Sequence, residues 1–260
     1  MSEAGRDIAV IVPTHGRLDL TSALVADCQR EPTVADVIIV DNKRDHQALS
    51  RQVRVVSPSE PLGWLRSCNL GIEVASTQRY RAYVLLNNDT RLSQQFFEGL
   101  LVASADTGAA LIGPMYDDYW PTQIGPFVGR ALDYGAVRAH RDAPLVDGTC
   151  MFIDAGLYSE IGGLDDRFHK CGYGADYDYA IRTRQAGRRI CITEMSYLNH
   201  LRHGTASAVL PAEWQAEATT IQNEVFESKW GARLCETRPE DKDVVLREVA
   251  RLGAATETRS

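Results

Sequence analysis

Four clusters of polar residues each follow an apolar run of the chain, and their side chains can bind phosphates, cations and hydroxyl groups. They are PTHGR at 13–17, DN at 41–42, NND at 87–89 and NHLRH at 199–203. Asn and Asp are also the commonest turn residues, so each cluster alone is equally compatible with a simple turn. In an open α/β sheet, however, the carboxyl ends of the strands lie along one edge, where ligands bind. The joint placement of the clusters therefore predicts a ligand site.

The chemistry of these clusters suits a diphosphate. No G-x-G-x-x-G follows the first apolar run and no G-x-x-x-x-G-K-[ST] occurs in the chain, so dinucleotide and P-loop sites lose their main support. A diphosphate held without a glycine-rich loop usually needs a divalent cation with carboxylate ligands. We expect Asp89 to bind that cation, Mg²⁺ or Mn²⁺, and Asp41 to accept a hydrogen bond from a nucleobase. Arg17 and Arg66 are expected to contact phosphate.

Alternating strand and helix patterns must position the first three clusters. Continuous apolar runs of the kind found in buried parallel strands alternate with segments whose apolar residues have helical spacing. Strands are expected at 7–14, 34–42, 53–58 and 81–89, and helices at 19–30 and 64–76. This order predicts a doubly wound, Rossmann-like sheet over about the first 115 residues.

The rest of the chain has a different character. The segment 115–145 is rich in aromatic residues, Gly and Pro, which is typical of loops and short strands that shape a substrate pocket. Further strands are expected at 146–154 and 188–193, and helices at 155–164, 175–187, 211–231 and 239–252. One compact domain with a helical tail is the simplest interpretation.

The composition excludes several classes of protein. The 260 residues are 44% hydrophobic and 24% charged, with a formal net charge of −7, which argues against disorder and against a nucleic-acid partner. No apolar run approaches the ~20 residues of a membrane span, and no signal-peptide core is visible. We therefore expect a cytoplasmic protein without an integral membrane segment. The six cysteines form no Cys-x-x-Cys pair and are expected to be reduced and mostly buried.

Taken together, these segments resemble the family 2 glycosyltransferases, which are inverting enzymes with the GT-A fold. The resemblance covers about residues 7–231. It is carried by IAVIVPTHGR, VIIVDN, PLGWLRSCNLGI, LLNNDT, the segment from VDGTCMFID to RQAGRRI, NHLRHGTAS and QNEVFESKWG. LLNNDT is similar to the metal-binding Asp-x-Asp motif, in the Asn-x-Asp form of rhamnosyltransferase-like members.

The resemblance implies a fold and an activity. The fold is α/β, with a Rossmann-like, mostly parallel central sheet flanked by helices and a C-terminal helical extension. Residues 1–260 form a single GT-A domain, in which 1–115 bind the nucleotide sugar, 116–210 bind the acceptor and carry out catalysis, and 211–253 form C-terminal helices. The activity is inverting transfer from a nucleotide sugar, with dTDP- or UDP-linked donors such as a rhamnose donor favoured, to a hydroxyl group of a small molecule, glycan or peptide.

The resemblance also implies roles for individual residues. Asp89 and His200 are metal ligands, and Asp176 is the general base that deprotonates the acceptor. The residues implied in nucleotide-sugar binding are Pro13, Thr14, Arg17, Asp41, Gly63, Arg66, Asn69, Asn88 and Asp89. Two positions depart from the family pattern, because Asn87 replaces the first acid of Asp-x-Asp and Ala175 replaces the Glu that usually precedes Asp176. Each departure removes a carboxylate that would support metal binding.

Other interpretations of these residues stay open. Asp176 also suits a cap of the helix that follows it, and Asp178 is a rival base that equally suits an ion pair. His200 and His203 form a His-x-x-His pair, but no local acid or cysteine completes a zinc site. Aromatic residues around Trp120, including Tyr116 and Tyr119, suit either a sugar platform or the core. The acceptor-binding candidates are Trp120, Asp147 and Asp178.

Competing functions come from other classes of protein. A sugar-nucleotide pyrophosphorylase shares the sheet but opens with a glycine-rich, basic loop that PTHGRLDL does not provide. A sugar-nucleotide-binding module without transferase activity would keep Asp41 and lose Asp89 or Asp176, and both are present. An oxidoreductase lacks its nucleotide fingerprint. The sequence leaves open the donor sugar, the choice among uridine, thymidine and guanosine diphosphates, the acceptor, and whether the chain forms a homodimer.

Overall fold

The fold is built around a mixed nine-stranded sheet flanked by helices. The computed structural model of the chain describes residues 6–47, 50–116, 120–201, 213–234 and 241–254. The strands are β1 (Arg6–Thr14), β2 (Val34–Asp41), β3 (Val53–Val56), β4 (Tyr80–Leu86), β5 (Thr90–Leu92), β6 (Leu111–Tyr116), β7 (His140–Asp142), β8 (Cys150–Asp154) and β9 (Ile190–His200). The helices are α1 (Leu18–Gln29), α2 (Gly63–Ser76), α3 (Phe96–Thr107), α4 (Ala155–Ile161), α5 (Ala175–Gln185), α6 (Trp214–Trp230) and α7 (Asp241–Ala254).

The strand order joins a parallel half to a mixed one. The order is β3-β2-β1-β4-β8-β6-β9-β5, and β7 pairs with β9 outside this path. Strands β1 to β4 pair in parallel, as the alternation of strands and helices predicts. The later strands enter by long-range pairing, because β8 runs antiparallel between β4 and β6, and β9 is parallel to β6 but antiparallel to β5 and β7. The parallel strands of the first half and the strands of the later segments therefore form one continuous sheet.

The sheet core follows from the apolar runs. Every residue of β1 from Ile8 to Val12 is fully buried, because neighbouring strands and helices cover both faces of the sheet. Helix α2 packs closely on this strand at Gly71, where a Cβ would lie 2.3 Å from Cγ2 of Ile11. Only glycine therefore lets the helix come this near to the strand.

Helix α3 is an element that the sequence analysis did not predict. Its first backbone amides are capped by the carboxylate of Glu31, which accepts hydrogen bonds from Phe97 N at 2.8 Å and Glu98 N at 3.3 Å, as well as from Phe96 N. Gln95, which directly precedes the helix, gives it no side-chain cap. The cap thus comes from a residue far away in the chain.

Helix α6 packs along the loop that leads into α5. The ring of Tyr173 lies against that of Trp214, with centroids 5.3 Å apart, and Phe168 lies against Phe226. At the far end of α6, Lys229 forms an ion pair with Asp165 at 2.8 Å. The loop over residues 165–174 is therefore held along its length by one helix.

None of the helices in the described part of the chain combines the length and the apolar character that a bilayer crossing requires. The five cysteines that the structure describes are free thiols, and all except Cys171 are buried.

Candidate functional site

A cavity of about 460 Å³ opens where the polar clusters follow the strands. Each of the four clusters supplies at least one residue to its wall. Several of the predicted site residues line it, namely Pro13, Thr14, Gly63, Asn88, Asp89, Asp147, Asp176 and His200. The joint placement inferred from the strand ends is therefore observed. Of the sequence candidates, His203 and Tyr119 lie outside the described residues.

Asp89 and His200 lie side by side in this cavity. Thr90 of β5 pairs with His200 of β9, which brings the imidazole to the end of the NND cluster. Nε2 of His200 is 3.3 Å from Oδ1 of Asp89, and its Nδ1 is 3.5 Å from the hydroxyl of Thr149. Two neighbouring ligands of an octahedral ion with bonds of ~2.1 Å lie ~3 Å apart. The two side chains thus fit joint binding of one divalent cation.

The two amides of the NND cluster have structural partners. Oδ1 of Asn87 accepts a hydrogen bond from Nε1 of Trp64 at 2.7 Å. Nδ2 of Asn88 donates to the hydroxyl groups of Thr14 and Thr21, at 3.2 and 3.1 Å. These bonds tie the end of β4 to α2, to α1 and, through Thr14, to the first polar cluster.

Asp176 projects into the cavity from the first turn of α5. Its Oδ2 accepts the backbone amide of Gly148 at 3.1 Å, and its Oδ1 accepts that of Tyr177 at 3.0 Å. The residue is 8% exposed and faces the same space as Asp89 and His200. Two amides thus orient a carboxylate on the cavity wall.

Asp178, two residues further on, lies on the opposite side of the helix in a buried ionic cluster. Its carboxylate pairs with Arg182 at 2.8 Å and with Lys229 at 2.7 Å, and it accepts a hydrogen bond from Nε1 of Trp230 at 3.0 Å. Its side chain is completely buried and does not line the cavity. The ion-pair interpretation of Asp178 therefore matches the structure, and the acceptor-binding one does not.

The carboxylate of Asp41 is directed into its own loop. It accepts backbone hydrogen bonds from Lys43 at 3.0 Å, Arg44 at 2.9 Å and His46 at 2.7 Å. Burial raises its pKa, but the amide bonds from His46 and Lys43 more than offset this and hold the pKa below its usual value. Asp41 is fully buried and does not line the cavity, so in this conformation it shapes the loop.

Three other predicted nucleotide-sugar ligands also lie outside the cavity wall. Arg17 is bound to Asp19, and this hydrogen bond raises its pKa, with a further contribution from the charge of Asp89. The exposed Arg66 lies 3.9 Å from Asp166. Asn69 binds both backbone groups of Leu164, because its amide reaches the carbonyl at 2.8 Å and its oxygen the amide at 2.9 Å. Asn69 thus anchors the loop before α5.

The acceptor candidate Trp120 lies behind the cavity wall. It is fully buried, and its Nε1 donates to Oδ2 of Asp147 at 3.0 Å. Asp147 does line the cavity, and its other oxygen accepts the amide of Thr149 at 2.8 Å. Trp120 therefore orients Asp147 and does not form a stacking platform in the cavity.

Tyr116, an aromatic candidate named from the sequence, lines the cavity, but other aromatic residues on its wall were missed at the sequence level. They include Trp64 from α2, Tyr173 from the loop before α5 and Trp214 from α6. The position of Trp64 directly after Gly63, inside the PLGWLRSCNLGI segment, was the available signal. Lys170 also lines the cavity and adds a positive charge to a wall that contains the carboxylates of Asp89, Asp147 and Asp176.

A thiol lies in the same wall. Sγ of Cys171 is 2.7 Å from Nδ1 of the buried His169. Burial raises the pKa of Cys171 to about 11 and lowers the pKa of His169. Both groups are therefore neutral at physiological pH, and the pair is a thiol–imidazole hydrogen bond.

The sequence is similar to that of three mycobacterial proteins. They are uncharacterized protein Rv1525 and uncharacterized protein MT1576 of Mycobacterium tuberculosis and uncharacterized protein Mb1552 of Mycobacterium bovis. Each is 35% identical over 219 residues, which is 83% of this chain and 83% of the relative. No family model matches the sequence.

The fold is similar to that of a solved glycosyltransferase structure, the crystal structure of GalNAc-T7 with UDP, GalNAc and Mn²⁺. The TM-score is 0.58 at 13% sequence identity, and the match covers 76% of this chain. The chain spans 44% of the length of that protein. This likeness confirms the expected GT-A fold.

Proposed function

Because the chain belongs to the family of these three mycobacterial proteins and has the GT-A fold, we propose that it is a glycosyltransferase that uses a nucleotide sugar. The observation that carries the proposal is the meeting of Asp89, His200 and Asp176 in one cavity at the carboxyl ends of the strands. A cation-binding pair and a separate, oriented carboxylate are the two chemical functions that an inverting transfer needs.

The donor is bound by the first half of the chain, residues 1–115. The wall formed by Pro13, Thr14, Gly63 and Asn88 receives the nucleotide and its diphosphate. Lys170 adds a positive charge at the same cavity. The similar solved structure, that of GalNAc-T7, was determined with UDP, which supports a nucleoside diphosphate as the ligand class for this chain.

Asp89 and His200 hold a divalent cation, Mg²⁺ or Mn²⁺. Their 3.3 Å separation fits neighbouring ligand positions, and an acid with an imidazole is a donor set that Mn²⁺ accepts. When bound, the cation supplies positive charge against the departing diphosphate. The NND cluster contributes one acid, Asp89, to this site, and the side-chain oxygen of Asn87 accepts the hydrogen bond of Trp64.

Asp176 is the general base of a single in-line displacement. The acceptor oxygen forms a bond to the anomeric carbon as the bond from that carbon to the diphosphate oxygen breaks, and the hydroxyl proton moves to a carboxylate oxygen of Asp176. The amides of Gly148 and Tyr177 hold this carboxylate toward the cavity. The second half of the chain, residues 116–210, thereby supplies the base and the acceptor wall, and the helices within 211–253 support it.

The resemblance to family 2 glycosyltransferases favours one class of donor sugar. The Asn-x-Asp form at 87–89 resembles the rhamnosyltransferase-like branch of family 2, so we favour a dTDP- or UDP-linked deoxysugar as donor. The acceptor is a hydroxyl-bearing small molecule, glycan or peptide.

A thermal-shift panel tests the proposal. UDP, dTDP, GDP and their sugars are each added with and without Mg²⁺ or Mn²⁺. A ligand at a hundred times its Kd raises the melting temperature of a domain of this size by roughly 5–10 °C. We expect one diphosphate to stabilise the protein only with metal, and slow metal-dependent hydrolysis of its sugar.

The metal site is tested with Asp89→Asn. This variant should lose the metal-dependent shift, while the control Asp142→Asn, whose carboxylate pairs with Arg189 away from the cavity, should keep it. If no nucleotide binds the wild-type protein, or if Asp89→Asn binds with unchanged metal dependence, the proposal is wrong.

A further inference from the structure

Trp64 occupies the space between the two reactive sides of the cavity. It is the second residue of α2, whose start is fixed on both sides. Oδ1 of Asn42 accepts the amides of Leu62 at 2.7 Å and Gly63 at 3.2 Å, and the amide of Leu65 donates to the carbonyl of Lys170 at 3.1 Å. The indole is therefore carried by a backbone that has little freedom to shift.

On one side the indole holds the end of β4. Its Nε1 donates to Oδ1 of Asn87 at 2.7 Å, and Asn87 is two residues before Asp89. The backbone amide of Asn87 donates to the carbonyl of Thr149 at 3.0 Å. Asn87 is thus held through its side chain and its backbone, and the indole is the partner of the side chain.

On the other side the indole packs against two glycines that lead to Asp176. A Cβ on Gly172, which has a φ of +87°, would lie 2.4 Å from Cε3 of Trp64. A Cβ on Gly148 would lie 3.3 Å from Cη2 of Trp64. The carbonyl of Gly172 accepts the amide of Ala175, the first residue of α5, at 2.9 Å, and the amide of Gly148 donates to Asp176 at 3.1 Å.

We propose that Trp64 is a positioning residue that sets the separation between the cation-binding side and the base side of the cavity. The proposal rests on the proposed function. The hydrogen bond to Asn87 fixes one side, and the face of the indole fixes Gly172 and Gly148 on the other. Loss of the ring lets the loop over 169–174 and the turn at Gly148 move inward, which displaces the carboxylate of Asp176 relative to the sugar held near Asp89.

Two variants separate the two contacts. Trp64→Phe removes the N–H donor but keeps an aromatic ring, and Trp64→Leu removes both the donor and the ring plane. The matched control is Trp230→Phe, because Trp230 is also half-buried and also donates its Nε1 to a side-chain oxygen, that of Asp178, at 3.0 Å, yet does not line the cavity.

The measurements are calorimetric binding of UDP and dTDP with Mn²⁺, and kcat and KM for hydrolysis of UDP-glucose and dTDP-rhamnose, corrected for the folded fraction. A misplacement of about 1 Å costs up to ~10²-fold in rate. We expect Trp64→Leu to lower kcat by about that factor with nucleotide affinity changed less than about threefold. The kcat of Trp64→Phe should lie between those of Trp64→Leu and wild type. Trp230→Phe should lose stability but keep kcat.

A double-mutant cycle isolates the hydrogen bond. Asn87→Ala in the Trp64→Phe background should add little to the loss in kcat, because the two side chains act as one unit. If Trp64→Leu keeps wild-type kcat per folded molecule, or if the losses from Trp64→Phe and Asn87→Ala are additive, the positioning role is wrong while the transferase proposal stands. If the wild-type protein neither binds these nucleotides nor hydrolyses these sugars, both proposals fall.

Discussion

Replacement of Asp176 by Asn gives the sharpest test of the proposed base. The variant keeps the shape of the side chain and one acceptor oxygen, so it loses one of the two amide hydrogen bonds, from Gly148 or from Tyr177. A hydrogen bond to a charged group contributes about 1.5–3 kcal/mol, so the free energy of unfolding should fall by no more than about that amount. Removal of a positioned base lowers the rate by ~10²–10⁴-fold. We therefore expect a folded protein with near-normal donor binding and a large loss of kcat.

Asp178→Asn is the matched control, because it makes the same chemical change two residues away. Its carboxylate is buried and neutralises Arg182 and Lys229, whose side chains are 17% and 18% exposed. Breaking a buried ion pair from one side costs ~3–5 kcal/mol. Asp178→Asn should therefore lower the free energy of unfolding more than Asp176→Asn does, with little effect on kcat per folded molecule.

The assay combines urea unfolding with initial rates. Release of nucleoside diphosphate from the donor sugar that the wild type hydrolyses is followed for both variants, at a temperature where both are folded. Donor affinity is measured separately by calorimetry, so that a loss of binding is not taken for a loss of chemistry. Our reasoning is refuted if Asp176→Asn keeps turnover within about threefold of wild type, or if Asp178→Asn is as stable as wild type and inactive.

Three further outcomes are expected from other parts of the molecule. Since burial raises the pKa of Cys171 to about 11, the rate of its alkylation by iodoacetamide should increase with pH toward that value. The rate should fall when UDP and Mn²⁺ are added. Equal labelling with and without nucleotide, measured by mass spectrometry, would contradict this. Gly71→Ala forces a methyl group to 2.3 Å from Ile11 and should cost ~1–3 kcal/mol in urea unfolding, whereas Gly135→Ala, with no atom within 4 Å, should cost less than Gly71→Ala does. Burial raises the pKa of Glu31 above its usual ~4.3, so protonation of this side chain favours the folded state. That protonation-linked part of the stability is present below that pH and is lost as pH rises through the folded-state pKa. A Glu31→Gln variant whose stability has the same pH dependence as wild type would show that Glu31 is not the group that titrates.

The parallel half of the fold was predictable because its signals are local. The run from Ile8 to Val12 is apolar at every position, which is typical of a strand covered on both faces, and all of it is buried. The register that pairs Thr14 with Asp41 then follows from two such runs ending in polar residues. Because the carboxyl ends of parallel strands lie along one edge of a sheet, the sequence alone predicts that the polar clusters are neighbours.

The remaining features depend on contacts between distant residues. Helix α3 begins without a local side-chain cap, and its cap, Glu31, is remote in sequence, so no nearby signal marks its start. Strand β8 lies between β4 and β6, and hydrophobic periodicity predicts where a strand occurs but not which strands it pairs with. Trp120 and Trp64 look alike in the sequence, but only the fold buries the first behind Asp147 and exposes the second to the cavity.

The packing of α6 along the loop over 165–174 bears on how this protein can be altered. The helix meets the loop at both ends, through Trp214 with Tyr173 and through Lys229 with Asp165. A chimera that took α6 alone from a relative would place foreign side chains against both contacts and disturb the entrance to α5, where Asp176 lies. The loop over 165–174 and helix α6 therefore have to be exchanged together. Under the proposed function, acceptor preference should pass from one relative to another only when both segments are replaced.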